Sequence, residues 1–417
     1  MTGGMWIRRR IFALIVPLVL FCAFAPVHAA DSAFQKWLEQ AWLDAKALGV
    51  SRSTFDAATR GLEPDLSLPD LVIPGRPEAP QKGQAEFVQT PADYLKESSL
   101  ARLAAQGRKL AVEHHATLAA IEQRFGVPGP VILAIWGRET DYGNYKLPHN
   151  AVRVLATQGY LGRRKDQFRQ EFLLALKMLE EGHVKLGEMR ASWAGAMGLT
   201  QFLPSDFYKY AVDFDGDGRR DIWLSVPDAL ASAARQLVDK GWQRGKTWGY
   251  EMRAQPTLDC TIAESETKLP AGEWLKRGAR PAFGRALTAA ELADEGSLLL
   301  PAGPYGPAFL TLKNFYVLKG YNFSDLYALF VGHLADRIAG DAPFETLWGK
   351  VTQLSSDRLE AMQRRLAADG FYNDKIDGKA GMKTRAALGA YQKANRLKVD
   401  CWPDAAVLDH MQRKTEQ

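Results

Sequence analysis

The stretch from Gly126 to Gly143 reads Gly-Val-Pro-Gly-Pro-Val-Ile-Leu-Ala-Ile-Trp-Gly-Arg-Glu-Thr-Asp-Tyr-Gly. Its prolines suit the start of a helix, where a missing N–H costs nothing, and its last glycine suits the end. Between them, four residues recur at the spacing of one helical face: Ile132, Ile135, Trp136 and Glu139. Because three of the four are large and apolar, we expect this face to be buried and to carry the glutamate with it.

Glu139 is the candidate general acid. A carboxylate on a buried face loses hydration, which raises its pKa toward the range where a general acid works near neutral pH. The alternative is that it lies at the edge of the apolar stripe and reaches water, the usual place for Glu. The nearest acid, Asp141, is two residues away and is expected on the other side of the helix. This spacing therefore does not supply the second carboxylate of a two-carboxylate glycosidase.

A second motif, Ser192-Trp-Ala-Gly-Ala-Met-Gly-Leu-Thr-Gln-Phe202, is rich in small residues. Such residues let another backbone or a ligand approach closely. Gln201 and Phe202 offer a hydrogen-bonding amide and an apolar ring, which suit the polar edges and apolar faces of a sugar. On composition alone, tight packing between helices explains the motif equally well.

The two motifs together resemble the lytic transglycosylases of the membrane-bound B family, which have a lysozyme-like, mainly helical fold and cleave peptidoglycan strands. The resemblance extends to residues 85–94 upstream and 314–327 downstream. It implies that Glu139 is the catalytic acid and base and that the Ser192 hydroxyl orients it. It also implies a saccharide groove lined by Gln201, Phe202, Tyr321, Asn322, Tyr327 and Tyr94. For the three tyrosines the alternative is core packing.

The loop Asp213-Phe-Asp-Gly-Asp-Gly-Arg-Arg-Asp221 reproduces the start of an EF-hand calcium loop. Leu224 departs from that pattern, because it stands where the bidentate acid is expected. We predict a weak, structural Ca²⁺ site and no cofactor for catalysis. In the metal-free alternative the clustered acids splay into solvent. The predicted ligands are Asp213, Asp215, Asp217, the carbonyl of Arg219, and Asp221.

The tail over residues 356–417 has a glycine-punctuated helical pattern that resembles the three-helix peptidoglycan-binding domain. The alternative is a generic helical tail. Residues 31–345 are the predicted catalytic domain, in which short apolar runs from Cys260 to Pro301 predict a small strand-containing insertion.

The N-terminus has the pattern of an export signal, with three arginines at positions 8–10, an apolar run over 11–24 and Val27-His28-Ala29, which fits the small-residue cleavage pattern. It predicts a signal peptide over residues 1–30 and a periplasmic protein without a lipid-attachment signal. An uncleaved membrane anchor is the alternative. The net charge of +5 falls to +2 without those arginines, which argues against nucleic-acid binding. Cys260 and Cys401 remain, either as a disulfide or as two free thiols.

The predicted fold class is therefore mainly α: a lysozyme-like domain with a small insertion and an EF-hand-like loop, followed by a three-helix module. The resemblance implies non-hydrolytic cleavage of the β-1,4 bond between N-acetylmuramic acid and N-acetylglucosamine, which leaves 1,6-anhydromuramic ends. Alternatives are a hydrolytic muramidase of the same fold and a non-catalytic wall-anchoring protein. The expected partners are peptidoglycan strands and other cell-wall enzymes.

Overall fold

The structure is a computed structural model that describes residues 1–2, 27–77, 85–253, 259–263 and 267–414. Helices dominate it, as the sequence predicts. The part of the chain that precedes the insertion contains these helices and two short strands: α1 (Val27–Ala47), α2 (Arg52–Thr59), α3 (Ala85–Val88), α4 (Pro91–Tyr94), α5 (Glu97–Glu113), α6 (His115–Phe125), α7 (Gly129–Thr140), β1 (His149–Asn150), α8 (Ala151–Leu161), α9 (Lys165–Glu180), β2 (Arg190–Ala191), α10 (Pro204–Tyr210) and α11 (Val226–Asp239).

An antiparallel sheet and several short helices form the predicted insertion. Its five paired strands follow the order β4-β6-β8-β3-β5, so the sheet begins before Cys260 and ends after Pro301. Leu298 lies opposite Leu310, and both are completely buried. The elements are β3 (Gly249–Arg253), α12 (Cys260–Ala263), β4 (Leu269–Pro270), α13 (Ala271–Lys276), β5 (Arg280–Pro281), a 3₁₀ turn (Ala282–Gly284), α14 (Ala289–Ala293), β6 (Glu295–Leu299), β7 (Pro301–Pro304) and β8 (Ala308–Thr311).

Two hydrophobic cores pack together the helices that carry the motifs quoted above. One is built around α7, which packs against α5, α6, α11 and a later helix, α16 (Asp325–Ala339). Helix α15 (Lys313–Asn322) joins this core by packing against α16 and α11. The other joins α1, α2, α8, α9 and α10. Tyr321 contacts both cores. The C-terminal end of α15 therefore lies where the two cores meet.

The tail is a three-helix module, made of α17 (Ser356–Ala368), α18 (Met382–Ala394) and α19 (Ala405–Arg413). Leu359, Leu388 and Tyr391 are completely buried in its small core. The Gln363 amide binds the loop between the first two helices, because its Oε1 accepts the N–H groups of Asp377 and Gly378. This arrangement fits the glycine-punctuated pattern of the sequence.

Covalent and polar contacts join the tail to the rest of the chain. The structure pairs Cys260 with Cys401, which settles the question that the sequence left open. Tyr305 donates a hydrogen bond to Asp400 at 2.8 Å. Arg385 of α18 lies 3.6 Å from the Asp325 carboxylate at the start of α16, and both side chains are buried. The module is therefore anchored to the insertion and to α16.

Among the described residues no single helix is long and apolar enough to cross a membrane, and α6 and α7 meet such a criterion only as a pair bent by 110°. The predicted signal peptide over residues 1–30 lies outside the described residues except at its two ends, and residues 27–30 belong to α1.

Candidate active site

Helix α7 positions Glu139. It begins after Pro128 and buries Ile132, Ile135 and Trp136 on one face, as the periodicity predicts. It ends at Thr140, three residues before Gly143, because the backbone turns into the left-handed region at Asp141. The Thr140 hydroxyl donates to the carbonyl of Leu199 at 2.7 Å. The end of α7 is thereby fixed to the small-residue motif.

The Glu139 carboxyl is surrounded by protein, although the residue is partly exposed. The Tyr327 hydroxyl donates a hydrogen bond to its Oε1 at 2.5 Å. Burial raises the pKa of Glu139 to about 7, and the charge of Glu86 adds to the increase, whereas the Tyr327 bond and the Arg138 charge lower it. The carboxyl is therefore suited to give up and take back a proton near neutral pH.

Two tyrosines connect Glu139 to the small-residue motif. The rings of Tyr321 and Tyr327 are stacked, with centroids 6.1 Å apart and planes at 10°. The Tyr321 hydroxyl donates to the carbonyl of Thr200 at 2.7 Å. Burial raises the pKa of both hydroxyls, so both are neutral donors. Ser324 caps the first turn of α16 by accepting the Tyr327 N–H, which fixes the backbone behind the catalytic contact.

The small-residue motif forms a tight turn. A side chain at Gly198, where φ is +73°, would come within 2.7 Å of the Ile222 carbonyl, so this position requires glycine. The Ser192 hydroxyl accepts backbone N–H groups of Ala194 and Ala196, at 3.3 and 3.2 Å. Among the described residues the hydroxyl bound to Glu139 is that of Tyr327, so the orienting contact expected from Ser192 is made by another residue.

Gln201 and Phe202 have different surroundings. Gln201 is partly exposed, has a φ of +58°, and donates from its side chain to the Gly198 carbonyl at 3.1 Å. Phe202 is completely enclosed in the second core, where its ring meets Tyr210 edge to face. The structure therefore places Phe202 behind the motif rather than in an open groove, because its ring packs with the other large apolar side chains of that core.

Tyr94 and Asn322 also flank the site. Tyr94 is buried, and its hydroxyl accepts a hydrogen bond from Arg138 at 2.7 Å, with the guanidinium 4.5 Å from the ring centre. It supports Arg138 rather than lining an open surface. Asn322 is partly exposed, and its buried Oδ1 has no hydrogen-bond partner among the described residues. That oxygen can accept a hydrogen bond from a bound ligand.

Sequence reasoning missed two residues of the site, Arg138 and Glu86. Arg138 stands next to Glu139, and its charge opposes the increase in that residue's pKa. Glu86 is buried on the short helix α3 and lies within the upstream stretch that carries the resemblance. Arg138 could have been found from its place beside Glu139, whereas only the fold brings the charge of Glu86 close to Glu139. Asp141, in contrast, is turned away and pairs with Arg102 at 2.8 Å.

The acidic loop gathers a slightly different set of carboxylates from the predicted one. Oxygens of Asp213, Asp215 and Asp228 all lie within 4.8 Å of one another. Asp228 is buried at the start of α11 and accepts N–H groups from three loop residues. Asp217 and Asp221 lie outside this cluster, and they accept the backbone N–H groups of Arg219 and Trp223. An all-oxygen donor set of this kind fits a hard cation such as Ca²⁺.

Comparison with known proteins agrees with this architecture. Residues 33–336 match the family model "Transglycosylase SLT domain", and residues 355–411 match a peptidoglycan-binding domain. Membrane-bound lytic murein transglycosylase B of Escherichia coli (strain K12) is 32% identical over 222 residues, which cover 52% of this chain and 58% of that protein. The match thus spans little more than half the length of this curated relative.

Solved structures extend the similarity to nearly the whole chain. SltB3 from Pseudomonas aeruginosa, in complex with NAG-NAM-pentapeptide, is 38% identical with a TM-score of 0.81, and the match covers 91% of this chain and 99% of that one. The Escherichia coli lytic transglycosylase Slt35, in complex with calcium, is 28% identical with a TM-score of 0.50, over 61% and 80%. The chain therefore belongs to the family of SLT-domain lytic transglycosylases and carries a peptidoglycan-binding domain in its C-terminal part.

Proposed function

We propose that this protein cleaves the β-1,4 bond between N-acetylmuramic acid and N-acetylglucosamine in peptidoglycan without using water. The observation that carries the proposal is the Glu139 carboxyl, which is buried, hydrogen-bonded by Tyr327 and has a pKa of about 7. A carboxyl with this pKa can be protonated when the substrate binds and ionised after bond cleavage. One residue can then serve as acid and as base.

In the first step Glu139 donates its proton to the glycosidic oxygen of the departing N-acetylglucosamine as the bond to C1 breaks. The Tyr327 hydroxyl holds Oε1 and stabilises the carboxylate that forms. The neutral Tyr321 hydroxyl, bonded to Thr200, keeps the stacked pair of rings in place. These contacts orient the carboxyl before the substrate arrives, which reduces the reorganisation needed in the transition state.

In the second step the 6-hydroxyl of N-acetylmuramic acid attacks C1, and the Glu139 carboxylate takes the hydroxyl proton. A bond from O6 to C1 replaces the glycosidic bond, and Glu139 returns to its protonated form. The product has a 1,6-anhydromuramic end and no new reducing sugar. SltB3, the similar protein from Pseudomonas aeruginosa, has been crystallised with NAG-anhNAM-pentapeptide as well as with NAG-NAM-pentapeptide. The first ligand contains the anhydro sugar and the second does not, which supports the proposal that this chain also forms an anhydro product.

The substrate also accounts for the other parts of the chain. The three-helix module over residues 356–417 binds peptidoglycan, and the catalytic domain over residues 31–345 acts on the strand so held. A substrate outside the cytoplasm requires export, for which the signal peptide over residues 1–30 serves, and the site of action is the periplasm. Other cell-wall enzymes that share this substrate are the protein partners that we propose.

The acidic loop binds Ca²⁺ for structure in this proposal, and the reaction needs no cofactor. Asp213, Asp215 and Asp228 would hold the ion, and the similar Slt35 is known in complex with calcium. Since Asp228 also binds three backbone N–H groups of the loop, the ion would fix the loop to the start of α11.

Product analysis tests the reaction. Purified sacculi are digested with the unaltered protein and with Glu139→Gln, and the fragments are identified by mass spectrometry. We expect 1,6-anhydromuramic ends from the unaltered protein and turnover reduced by several orders of magnitude in the variant. Free reducing ends would identify a hydrolytic muramidase instead. Binding to sacculi without any soluble product would identify a wall-anchoring protein.

A further inference from the structure

A cavity of about 820 Å³ lies between the insertion and helix α16 and is not used by the proposed reaction. Asp336 of α16 lines it, nine residues after Tyr327. Nine residues are two and a half helical turns, so the two side chains point to opposite sides of α16 and are ~13 Å apart along its axis. The cavity is therefore separated from Glu139 by the body of this helix.

His333 and Asp336, at i and i+3 on one face of α16, supply polar groups to the cavity wall. Only 5% of His333 is exposed, its ring stacks on Phe344 with centroids 3.7 Å apart, and its Nε2 has no hydrogen-bond partner among the described residues. Burial and the Arg337 charge lower the pKa of His333 to about 3, so the ring is neutral. A buried, unpartnered ring nitrogen in a cavity wall indicates a missing ligand group.

The charges that line the cavity favour a cation. Both of its basic residues already have acidic partners: Lys246 pairs with Asp294 at 2.7 Å, and Arg285 with Glu291 at 2.5 Å. Asp336 accepts a hydrogen bond from the Trp248 indole at 2.9 Å but has no cationic partner among the described residues. The exposed Asp341 has none there either. Burial and the Asp341 charge raise the pKa of Asp336 to about 8, whereas the Trp248 hydrogen bond and the Arg285 charge lower it. A cation in the cavity would favour the ionised form of Asp336 and would be attracted by it and by Asp341.

Aromatic rings complete the wall. Trp248, Tyr250 and Phe344 line the cavity together with Phe283, which keeps 60% of its surface exposed. Ring faces attract ammonium groups, and they also cover the aliphatic chain that carries such a group. Carboxylates, a neutral imidazole acceptor and aromatic walls together suit a primary amine on an aliphatic chain better than a bare metal ion, for which three converging ligands are expected.

We propose that this cavity binds the ammonium group of an aliphatic amine, held by Asp336, Asp341 and the imidazole of His333. The chain of the amine lies against the aromatic wall. Two sources share this chemistry: the side-chain amine of a peptide and a free diamine. This proposal is independent of the proposed reaction, because binding of an amine to the cavity can be measured without peptidoglycan.

The test is a ligand-observed NMR titration of the full-length protein with two probes, Nα-acetyl-lysine methylamide for a peptide-borne amine and 1,5-diaminopentane for a free one. We expect saturable binding of at least one probe, and the stronger of the two identifies the source. The Nα,Nε-diacetylated lysine probe, which has the same chain but no charge, should bind at least tenfold more weakly. Equal binding of that neutral probe, or no binding of either amine, would overturn the proposal.

Variants locate the binding. Asp336→Asn keeps an oxygen that can accept the Trp248 hydrogen bond, and it should weaken binding at least tenfold. Asp341→Asn changes an exposed residue that has no ion-pair partner among the described residues, so it tests the site even if the first variant unfolds, and it should weaken binding severalfold. The control, Glu188→Gln, changes an exposed carboxylate elsewhere and should have no effect. Unchanged binding in Asp341→Asn, or equal weakening by the control, would contradict the assignment.

Discussion

The Tyr327 hydroxyl donates a 2.5 Å hydrogen bond to the Glu139 carboxylate, although the two residues are 188 positions apart in the sequence. The contact joins the start of α16 to the end of α7, the two helices at the centre of the larger core. Because the bond favours the ionised carboxyl, it opposes the effect of burial on the Glu139 pKa. Several consequences of this balance can be measured.

Replacing Tyr327 by Phe removes the hydrogen bond and leaves the ring. The Glu139 pKa should rise, so the loss of kcat/KM at high pH should begin at a higher pH than in the unaltered protein. Turnover should also fall by about ten- to a hundredfold, since a hydrogen bond to a charged group contributes ~1.5–3 kcal/mol. Tyr321→Phe is the matched control: its hydroxyl binds Thr200 instead, so the pH profile should stay in place. A profile that moves to lower pH in Tyr327→Phe would contradict this account.

Removing the negative charge of Glu86 should act in the opposite direction. That charge raises the Glu139 pKa, so Glu86→Gln should lower it and move the high-pH loss of activity to lower pH. The measurement is the pH dependence of kcat/KM on sacculi or on soluble strands. A variant with Asp141→Asn, which removes a nearby acid that is turned toward Arg102, serves as the control. If both variants shift the profile equally, the effect belongs to overall charge and not to Glu86.

Glu139 should also reduce stability at alkaline pH. Its pKa is about 7 in the folded protein against 4.5 in its ordinary state, so the folded protein binds the proton more tightly. The contribution of Glu139 to the free energy of unfolding is fully present below pH 4.5 and is lost as the pH rises through 7. Glu139→Gln should therefore raise the Tm at pH 8 by an amount equivalent to at most ~3 kcal/mol, and should have little effect at pH 4. Thermal unfolding at both pH values checks this, and a variant that is less stable at pH 8 would contradict it.

The acidic loop should respond to calcium. An ion that binds only the folded protein stabilises it, by about 2.7 kcal/mol at a hundred times its Kd. Asp228→Asn should abolish the increase in Tm, since Asp228 is one of the three converging carboxylates. Asp217→Asn is the control, because that side chain binds the Arg219 N–H instead and should leave most of the increase. A Tm that is the same with calcium and with a chelator in the unaltered protein would exclude a site.

The sequence predicts α7 well because its signals are local. Pro128 lies directly before this helix, and Pro130, the apolar periodicity and Glu139 lie within it, as the structure confirms. Its end is three residues earlier than Gly143, because Asp141 already adopts the left-handed conformation. The three-helix tail is equally local. The sheet is less well predicted: its strand β3, which pairs with β8 and β5, precedes the expected insertion, because strand pairing is set by residues far away in the sequence.

The site is harder to predict in detail, since residues of similar chemistry compete for each role. Ser192 and Tyr327 both carry hydroxyls, and only the packing of α16 against α7 decides which one reaches Glu139. Phe202 offers a ring that suits either a sugar or a core, and the second core encloses it. From sequence, Asp228 is read as an ordinary acid in the first turn of a helix, although it completes the carboxylate cluster.

The last prediction concerns the tail module. Truncation after Leu354 removes the partner of Cys260 and the Arg385 contact with Asp325, so it should be made together with Cys260→Ser. We expect a folded but less stable catalytic core that still cleaves soluble strands and is retained less well on insoluble peptidoglycan. The full-length Cys260→Ser, Cys401→Ser variant is the matched control, because it loses the disulfide but keeps the module. The control should lose stability, by ~2–4 kcal/mol for a typical disulfide, while its pelleting with sacculi stays close to that of the unaltered protein. Equal pelleting of the truncated and full-length proteins would show that the module does not hold the enzyme on its substrate.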